Sequence, residues 1–173
     1  MNNIDDKLLL EAREERDILL SKMKSVILST VCNSGYPNSS YAPCLYCFET
    51  NRFFIYISSL SKHTKNLLNN PCLSLMVIED ESESENLFVR KRYTLDASSL
   101  VVERNSSKWN NIMTSMEKKF GETIVFLKDL TDFSMFELVP SKSLLVYGFG
   151  KAFKFSEHNF EHAKHLNEKG HTK

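Results

Sequence analysis

The chain has 173 residues, of which 42% are hydrophobic, and this length and composition predict one globular domain with a sizeable core. The 22 basic and 22 acidic residues balance, so the chain lacks the positive field that attracts nucleic acid. The first residues lack the basic-then-apolar order of a signal peptide, and no apolar run is long enough to cross a bilayer. We therefore expect a cytoplasmic protein that binds neither nucleic acid nor membrane.

The amino-terminal part of the chain predicts a helix followed by a β-hairpin. Charged residues interleave with apolar ones between residues 5 and 23, which approximates the spacing of a helix packed on the outside of a fold. Residues 25–32 and 37–48 flank a turn at 33–35, so they predict two hairpin strands. Strands joined by short polar turns favour an antiparallel barrel over a doubly wound sheet.

Cys44 and Cys47 form a CxxC pair, a spacing used for redox chemistry and for zinc. The pair lies in the second predicted strand, where side chains three residues apart point to opposite faces. We therefore expect no shared metal. All four cysteines, including Cys32 and Cys72, are expected to be reduced thiols.

Residues 51–80 predict a strand, a short helix and a second strand in direct succession. The apolar run 53–57 is typical of a strand that is buried on both faces. A helix over 62–69 follows and ends before Pro71, because the residue before a proline is driven out of the helical region. Residues 72–78 then return the chain to the core.

The start of this short helix is a candidate anion site. Ser59 and Ser61 can cap it, and Lys62 and His63 lie in its first turn. Free backbone N–H groups and the positive end of the helix dipole attract anions. The alternative is a helix that simply covers one end of the barrel.

Two arginines lie on one face of the next predicted strand. Residues 88–97 alternate so that Arg90 and Arg92 share a face, after an acidic run at 79–85 that is expected to be a solvated loop. The arginine face is either a charged strand edge or a clamp for carboxylates or phosphates.

The last predicted strands carry two glycines on one face. A helix is predicted over 105–120, and strands are predicted over 133–138 and 143–155. Gly148 and Gly150 fall on the same side of the second of these strands and leave it without side chains. Either a neighbouring backbone or a flat ligand ring can approach there.

The carboxyl-terminal segment is rich in histidine. Residues 156–173 contain His158, His162, His165 and His171, and they predict a weak helix in a solvated tail. The expected organisation is one domain comprising a helix at 1–23, a barrel at 24–155 and this tail.

The order of these elements resembles the pyridoxamine-phosphate-oxidase-like split barrel, a superfamily that includes FMN-binding proteins. Several short motifs are similar to its haem-utilisation branch, the HugZ/HutZ-like haem-degrading proteins. These motifs are residues 78–81, 90–97, 102–104, 120–122, Asp132-Phe133, residues 148–152 and Gly170-His171. The resemblance implies a mainly β fold, an antiparallel Greek-key split barrel with peripheral helices. It also implies a homodimer with its ligand site at the subunit interface.

The resemblance further implies roles for individual residues. His171 corresponds to the proximal iron ligand, and Asp132 of the partner subunit corresponds to the carboxylate that bonds the other ring nitrogen of that histidine. Arg92 corresponds to a distal or propionate-side cation. The implied reaction opens the porphyrin ring oxidatively and releases iron, consuming dioxygen and electrons from an unidentified donor.

A physical comparison favours haem over flavin as the cofactor. FMN carries a phosphate dianion, yet residues 36–49 contain no lysine or arginine. Haem needs an apolar slot, cations for its propionates and an axial ligand, which the glycine face, the arginines and the histidine-rich tail can supply. The candidate cofactor-binding residues are Lys62, His63, Arg90, Arg92, Gly148 and Gly150. We predict a haem-degrading oxygenase, with a haem carrier or storage protein and an FMN-dependent oxidoreductase as the alternatives.

Overall fold

The computed structural model describes residues 3–155 and 163–166, which form four α-helices and eight strands. The helices are α1 (Asn3–Lys22), α2 (Lys62–Asn69), α3 (Ser107–Phe120) and α4 (Glu122–Lys128). The strands are β1 (Ser25–Val31), β2 (Pro37–Cys47), β3 (Arg52–Ser58), β4 (Cys72–Ile78), β5 (Arg92–Val102), β6 (Phe133–Val146), β7 (Ala152–Phe155) and β8 (Ala163–His165).

Six of the strands close into an antiparallel barrel. The sheet order is β3-β2-β1-β4-β5-β6-β7-β8, and a pairing of β3 with β6 closes the first six strands. In that closing pair Phe53 lies opposite Leu138 and Ile55 lies opposite Phe136, and all four side chains are buried. Closure removes the strand edges that would otherwise remain unpaired. The predicted split barrel with peripheral helices is confirmed.

The chain divides into two compact units, the first comprising residues 1–23, 76–95 and 141–173 and the second comprising 24–75 and 96–140. The second unit is built around one face of α3. Trp109, Met113 and Met116 recur at helical spacing on that face and pack with Phe54 and Tyr56 of β3 in a buried cluster. This packing gives β3 a fixed position, and β3 carries residues of the candidate site.

The first unit has its own aromatic cluster. Tyr93 is buried, contacts Phe155 edge to face at 5.9 Å between ring centroids, and donates a hydrogen bond to Ser143 Oγ at 2.8 Å. Tyr147 stacks on Phe153 with centroids 5.6 Å apart. Aromatic pairs at these separations add stability to the apolar burial itself.

Most predicted elements are confirmed within one or two residues. The β1–β2 hairpin forms around a turn in which Gly35 has a φ of 82°. The strand, helix and strand predicted between residues 51 and 80 are β3, α2 and β4. Ser106 caps α3 by accepting a hydrogen bond from the Trp109 amide.

Two strand predictions are wrong in their bounds. The strand predicted from residue 88 begins at Arg92 and runs to Val102, because a short 3-10 helix, Leu87–Val89, precedes it. The first strand predicted around Pro140, 133–138, and the start of the second, 143–155, form one continuous strand, β6, whereas the end of the second is the separate strand β7. Pro140 lies between the residues that pair with β3 and those that pair with β7, so these two pairings do not use its missing N–H.

Two other segments also differ from expectation. Helix α4 was not predicted, since its seven residues are too few to show a helical period. In the tail, residues 163–165 form β8, paired antiparallel with β7, where a helix was predicted. No helix in the described part of the chain is long and apolar enough to cross a membrane.

Candidate functional site

Asp132 is hydrogen-bonded to residues at the end of β3. Its Oδ2 accepts a hydrogen bond of 2.6 Å from the Ser58 hydroxyl, and its backbone carbonyl accepts one of 2.7 Å from the Ser59 amide. Ser58 Oγ in turn accepts the amide hydrogen of Leu60 at 3.1 Å. Among residues 3–155 and 163–166, no hydrogen bond reaches Asp132 Oδ1. Within these residues, Oδ2 of the carboxylate is therefore hydrogen-bonded, and Oδ1 can accept a further hydrogen bond.

Arg104 fixes the segment that leads to Asp132. Its guanidinium donates to the backbone carbonyls of Lys128 at 2.8 Å, Leu130 at 2.6 Å and Phe133 at 3.0 Å. It also donates to the hydroxyl of buried Tyr56 at 2.8 Å. Burial raises the pKa of Tyr56, so this hydroxyl stays neutral at pH 7. One arginine thus satisfies three loop carbonyls and one buried phenol.

The first turn of α2 holds the two basic residues of the predicted anion site. His63 Nδ1 lies 3.0 Å from Ser40 Oγ, and its Nε2 is buried without a hydrogen-bond partner in the described residues. Burial lowers the pKa of His63, which keeps the ring neutral at pH 7. Ser61 does not cap the helix with its side chain, contrary to expectation. Lys62 is therefore the charged side chain that this turn offers to an anion.

Arg90 and Arg92 lie in different surroundings in the first unit. Arg90 precedes β5, donates through Nε to the Glu79 carbonyl at 2.7 Å and pairs with Glu81 Oε1 at 2.8 Å. Arg92 begins β5 and donates to the Arg90 carbonyl at 3.1 Å. The predicted strand face with two arginines is not formed, because Arg90 lies outside the strand. Arg92 has no ion pair within the described ranges.

Gly148 and Gly150 lie in a turn between β6 and β7, so the predicted glycine-faced strand is wrong. The Lys151 amide donates to the Gly148 carbonyl, and the Tyr147 amide donates to the Lys151 carbonyl, both at 3.1 Å. Gly150 has a φ of 68°, a conformation that side chains disfavour. The closure of this turn accounts for Gly150 without any ligand.

Of the four histidines in the carboxyl-terminal segment, the structure describes His165. His165 stacks on Phe153 with ring centroids 4.7 Å apart, and its Nε2 contacts the Gly150 carbonyl at 2.5 Å. His158, His162 and His171 lie outside the described residues. The role predicted for His171 therefore stays a prediction.

The four cysteines are free thiols, as predicted. Cys44 is buried, and burial raises its pKa to about 12, so it is an unreactive thiol. No group of three or more potential metal-ligating side chains occurs in the described part of the chain. That Cys44 and Cys47 share no metal stays a prediction.

Cys32 is expected to be the most reactive of the four thiols. Its Sγ lies 3.0 Å from Ser34 Oγ, and this hydrogen bond, aided by the charge of Lys62, lowers the pKa of Cys32. Because alkylation requires the thiolate, Cys32 should react with iodoacetamide at a lower pH than Cys72, as followed by mass spectrometry. Ser34→Ala should move the Cys32 profile to higher pH. Faster alkylation of Cys72 would contradict the prediction.

An apolar cavity of about 170 Å³ lies beside Tyr56 in the second unit. Its lining comes from β2, β3, α3 and α4 and consists of Pro43, Tyr56, Met116, Phe120, Thr123, Ile124 and Leu127. Sequence reasoning missed this cavity together with Ser58 and Arg104. Arg104 falls in the 102–104 motif, which points to the family but does not indicate what the guanidinium contacts.

Comparison with known proteins identifies the family. Residues 12–147 match the family described as Pyridoxamine 5'-phosphate oxidase, and this match spans most of the chain. The chain belongs to this family. Within it, the protein named Heme oxygenase HutZ from Vibrio cholerae is 42% identical over 163 residues, which are 94% of this chain and 87% of that protein. The chain therefore belongs to the haem-utilisation branch of the pyridoxamine 5'-phosphate oxidase family.

Two solved structures of this branch have the same fold. The structure of Vibrio cholerae HutZ, described as a heme storage protein, has a TM-score of 0.70 and 41% identity, with 74% of this chain and 89% of that chain covered. Campylobacter jejuni ChuZ has a TM-score of 0.82 and 27% identity, with 94% of this chain and 65% of that chain covered. The resemblance inferred from the sequence motifs is confirmed.

Proposed function

We propose that this protein binds haem and degrades it oxidatively, opening the porphyrin ring and releasing iron for use by the cell. The observation that carries the proposal is the 42% identity, across nearly the whole chain, to a protein named Heme oxygenase HutZ. Bound haem supplies the iron at which dioxygen and electrons are consumed during the opening of its own ring. The four free thiols suit a reducing compartment, so we propose a cytoplasmic location.

Two side chains that the structure describes are suited to a haem site. Asp132 offers an oxygen that can accept a hydrogen bond from the axial histidine, for which we propose His171. A carboxylate in that position fixes the tautomer of the imidazole and makes it a stronger donor to iron. Arg92 offers a guanidinium suited to a propionate, whereas Arg90 already pairs with Glu81.

We propose that the active species is a homodimer. The outward face of the β1–β2 hairpin supports this proposal, because Ile27 lies opposite Tyr41 and Val31 opposite Pro37 in an exposed or half-exposed patch without charged side chains. Tyr41 is 70% exposed. Ser29 and Ser39 lie opposite each other between these two pairs. An exposed face that carries aromatic and aliphatic side chains and no charged ones is typical of protein interfaces. In the proposed dimer Asp132 of one subunit meets His171 of the other.

Haem storage without turnover is the second candidate function. It is favoured by the description of Vibrio cholerae HutZ as a heme storage protein. A flavin-dependent oxidoreductase is the third candidate, since the family description is that of pyridoxamine 5'-phosphate oxidase. It is the weakest, because β2 contains no basic residue that could meet the FMN phosphate. A purified protein that releases yellow flavin on denaturation would favour it.

An absorbance titration with hemin tests the proposal. We expect saturable growth of a Soret band in the wild-type protein, and we expect His171→Ala to weaken binding at least about tenfold, the equivalent of 1.4 kcal/mol. His158→Ala, His162→Ala and His165→Ala are matched controls that remove other histidines of the same tail. A wild-type spectrum for His171→Ala combined with an altered spectrum for His63→Ala would assign the ligand to α2 and refute this assignment.

A further inference from the structure

We infer that Ser58 is a positioning residue for the haem site, which orients Asp132 so that Oδ1 faces the ring nitrogen of the axial histidine. The inference rests on the proposed function, because it concerns the partner of a carboxylate to which that function gives a role. It adds a residue that the sequence motifs do not include.

The direction of the Ser58 hydrogen bond follows from the atoms around it. Ser58 Oγ accepts the amide hydrogen of Leu60 at 3.1 Å, which occupies one lone pair. Its single hydrogen is then directed to Asp132 Oδ2, at 2.6 Å, a short distance typical of a hydroxyl that donates to a carboxylate. Ser58 is thus the donor in this hydrogen bond, and Asp132 is the acceptor.

The backbone of Ser58 is itself fixed, so the hydroxyl has little freedom. Its carbonyl accepts a hydrogen bond of 2.6 Å from the hydroxyl of Thr64, which is buried in α2. Ser58 lies opposite Phe133 in the β3–β6 ladder, and Phe133 is the residue that follows Asp132 in the chain. The Ser59 amide also bonds the Asp132 carbonyl. Strand pairing and the first turn of α2 therefore set where the hydroxyl points.

Arg104 holds the other side of the same segment. Its bonds to the carbonyls of residues 128, 130 and 133 fix the loop on both sides of Asp132. Ser59 bonds the Asp132 backbone, and Arg104 bonds the backbone on either side of it. Among the residues that the structure describes, Ser58 is the one that bonds the Asp132 side chain. Loss of the Ser58 hydroxyl leaves the loop in place and frees the carboxylate to rotate, which is the change expected of a lost positioning contact.

The test compares Ser58→Ala, Ser58→Thr and Asp132→Asn in the full chain. In the haem-free protein, a double-mutant cycle of Ser58→Ala with Asp132→Asn should show a coupling of roughly tenfold in the unfolding equilibrium constant, because one partner of the hydrogen bond is charged. With haem bound, the iron–histidine stretching frequency and the haem reduction potential of Ser58→Ala should shift towards those of Asp132→Asn. Ser58→Thr retains a hydroxyl and should keep both wild-type values.

The outcomes separate this inference from the proposed function. Wild-type frequency and potential in Ser58→Ala, together with a shift in Asp132→Asn, would refute the role of Ser58 and leave the Asp132–histidine pair intact. A shift of Ser58→Ala in the direction opposite to Asp132→Asn would also refute it, because Ser58 would then withdraw charge from the carboxylate and not orient it. If Asp132→Asn shifts neither quantity in a haem-binding protein, the proposed pair itself is absent and the inference falls with it.

Discussion

Arg104→Met is expected to lower the free energy of unfolding by roughly 3 kcal/mol, since four partly buried acceptors lose their donor at once. The guanidinium bonds the carbonyls of residues 128, 130 and 133 and the hydroxyl of Tyr56. Methionine preserves most of the aliphatic length of the side chain, so the loss reports the hydrogen bonds more than the packing. Chemical denaturation followed by tryptophan fluorescence is a suitable measurement, because Trp109 lies in the same unit with its ring 5.6 Å from the guanidinium.

Lys118→Met is the matched control for this variant. Lys118 is an exposed basic residue on α3 of the same unit, and its removal should change stability by no more than about 0.5 kcal/mol. An Arg104→Met protein as stable as the Lys118→Met protein would show that the carbonyls of the 128–133 segment find other donors. The conclusion that Arg104 holds the loop around Asp132 in place would then be wrong.

A heterodimer of an Asp132→Leu subunit with a His171→Ala subunit is expected to keep one working site. If the pair forms between chains, the intact Asp132 of one subunit meets the intact His171 of the other, and turnover should be about half that of the wild-type dimer. The opposite site contains neither residue. The Asp132→Leu homodimer should lose turnover by roughly 10–100-fold, as expected when the group that orients a metal ligand is removed.

Tagged subunits that are co-expressed and purified by both tags allow this measurement. Haem stoichiometry and turnover are compared with those of the two parent homodimers, which are the controls for folding and for background activity. A heterodimer with turnover no higher than the Asp132→Leu homodimer would place the pair within a single chain, and the shared site would be refuted.

The barrel could be predicted from the sequence because its strands carry local signals. The apolar run of β3, the turn at 33–35 and the proline after α2 each fix an element without reference to distant residues. The bounds of β5 and β6 could not be predicted in the same way. They depend on pairing partners far along the chain, which decide whether Pro140 interrupts a ladder.

The candidate site was less predictable than the fold. Asp132 and Arg92 were identified through their motifs, but no local pattern pairs Ser58 with Asp132 across 74 positions. For Gly148 and Gly150 the local pattern was misleading. Their alternating spacing predicted one face of a strand, whereas both lie in a turn. Side chains that act through long-range hydrogen bonds leave no spacing in the sequence, so they require the fold to be known.

Aerobic incubation of the hemin complex with ascorbate, in the presence of catalase to remove free peroxide, tests haem degradation most directly. We expect the Soret band to decay, a ferrous chelator to capture about one iron per haem lost, and a linear tetrapyrrole to appear in place of the macrocycle. A haem complex whose Soret band persists, with no chelatable iron over the same period, would contradict degradation and assign the protein to haem storage.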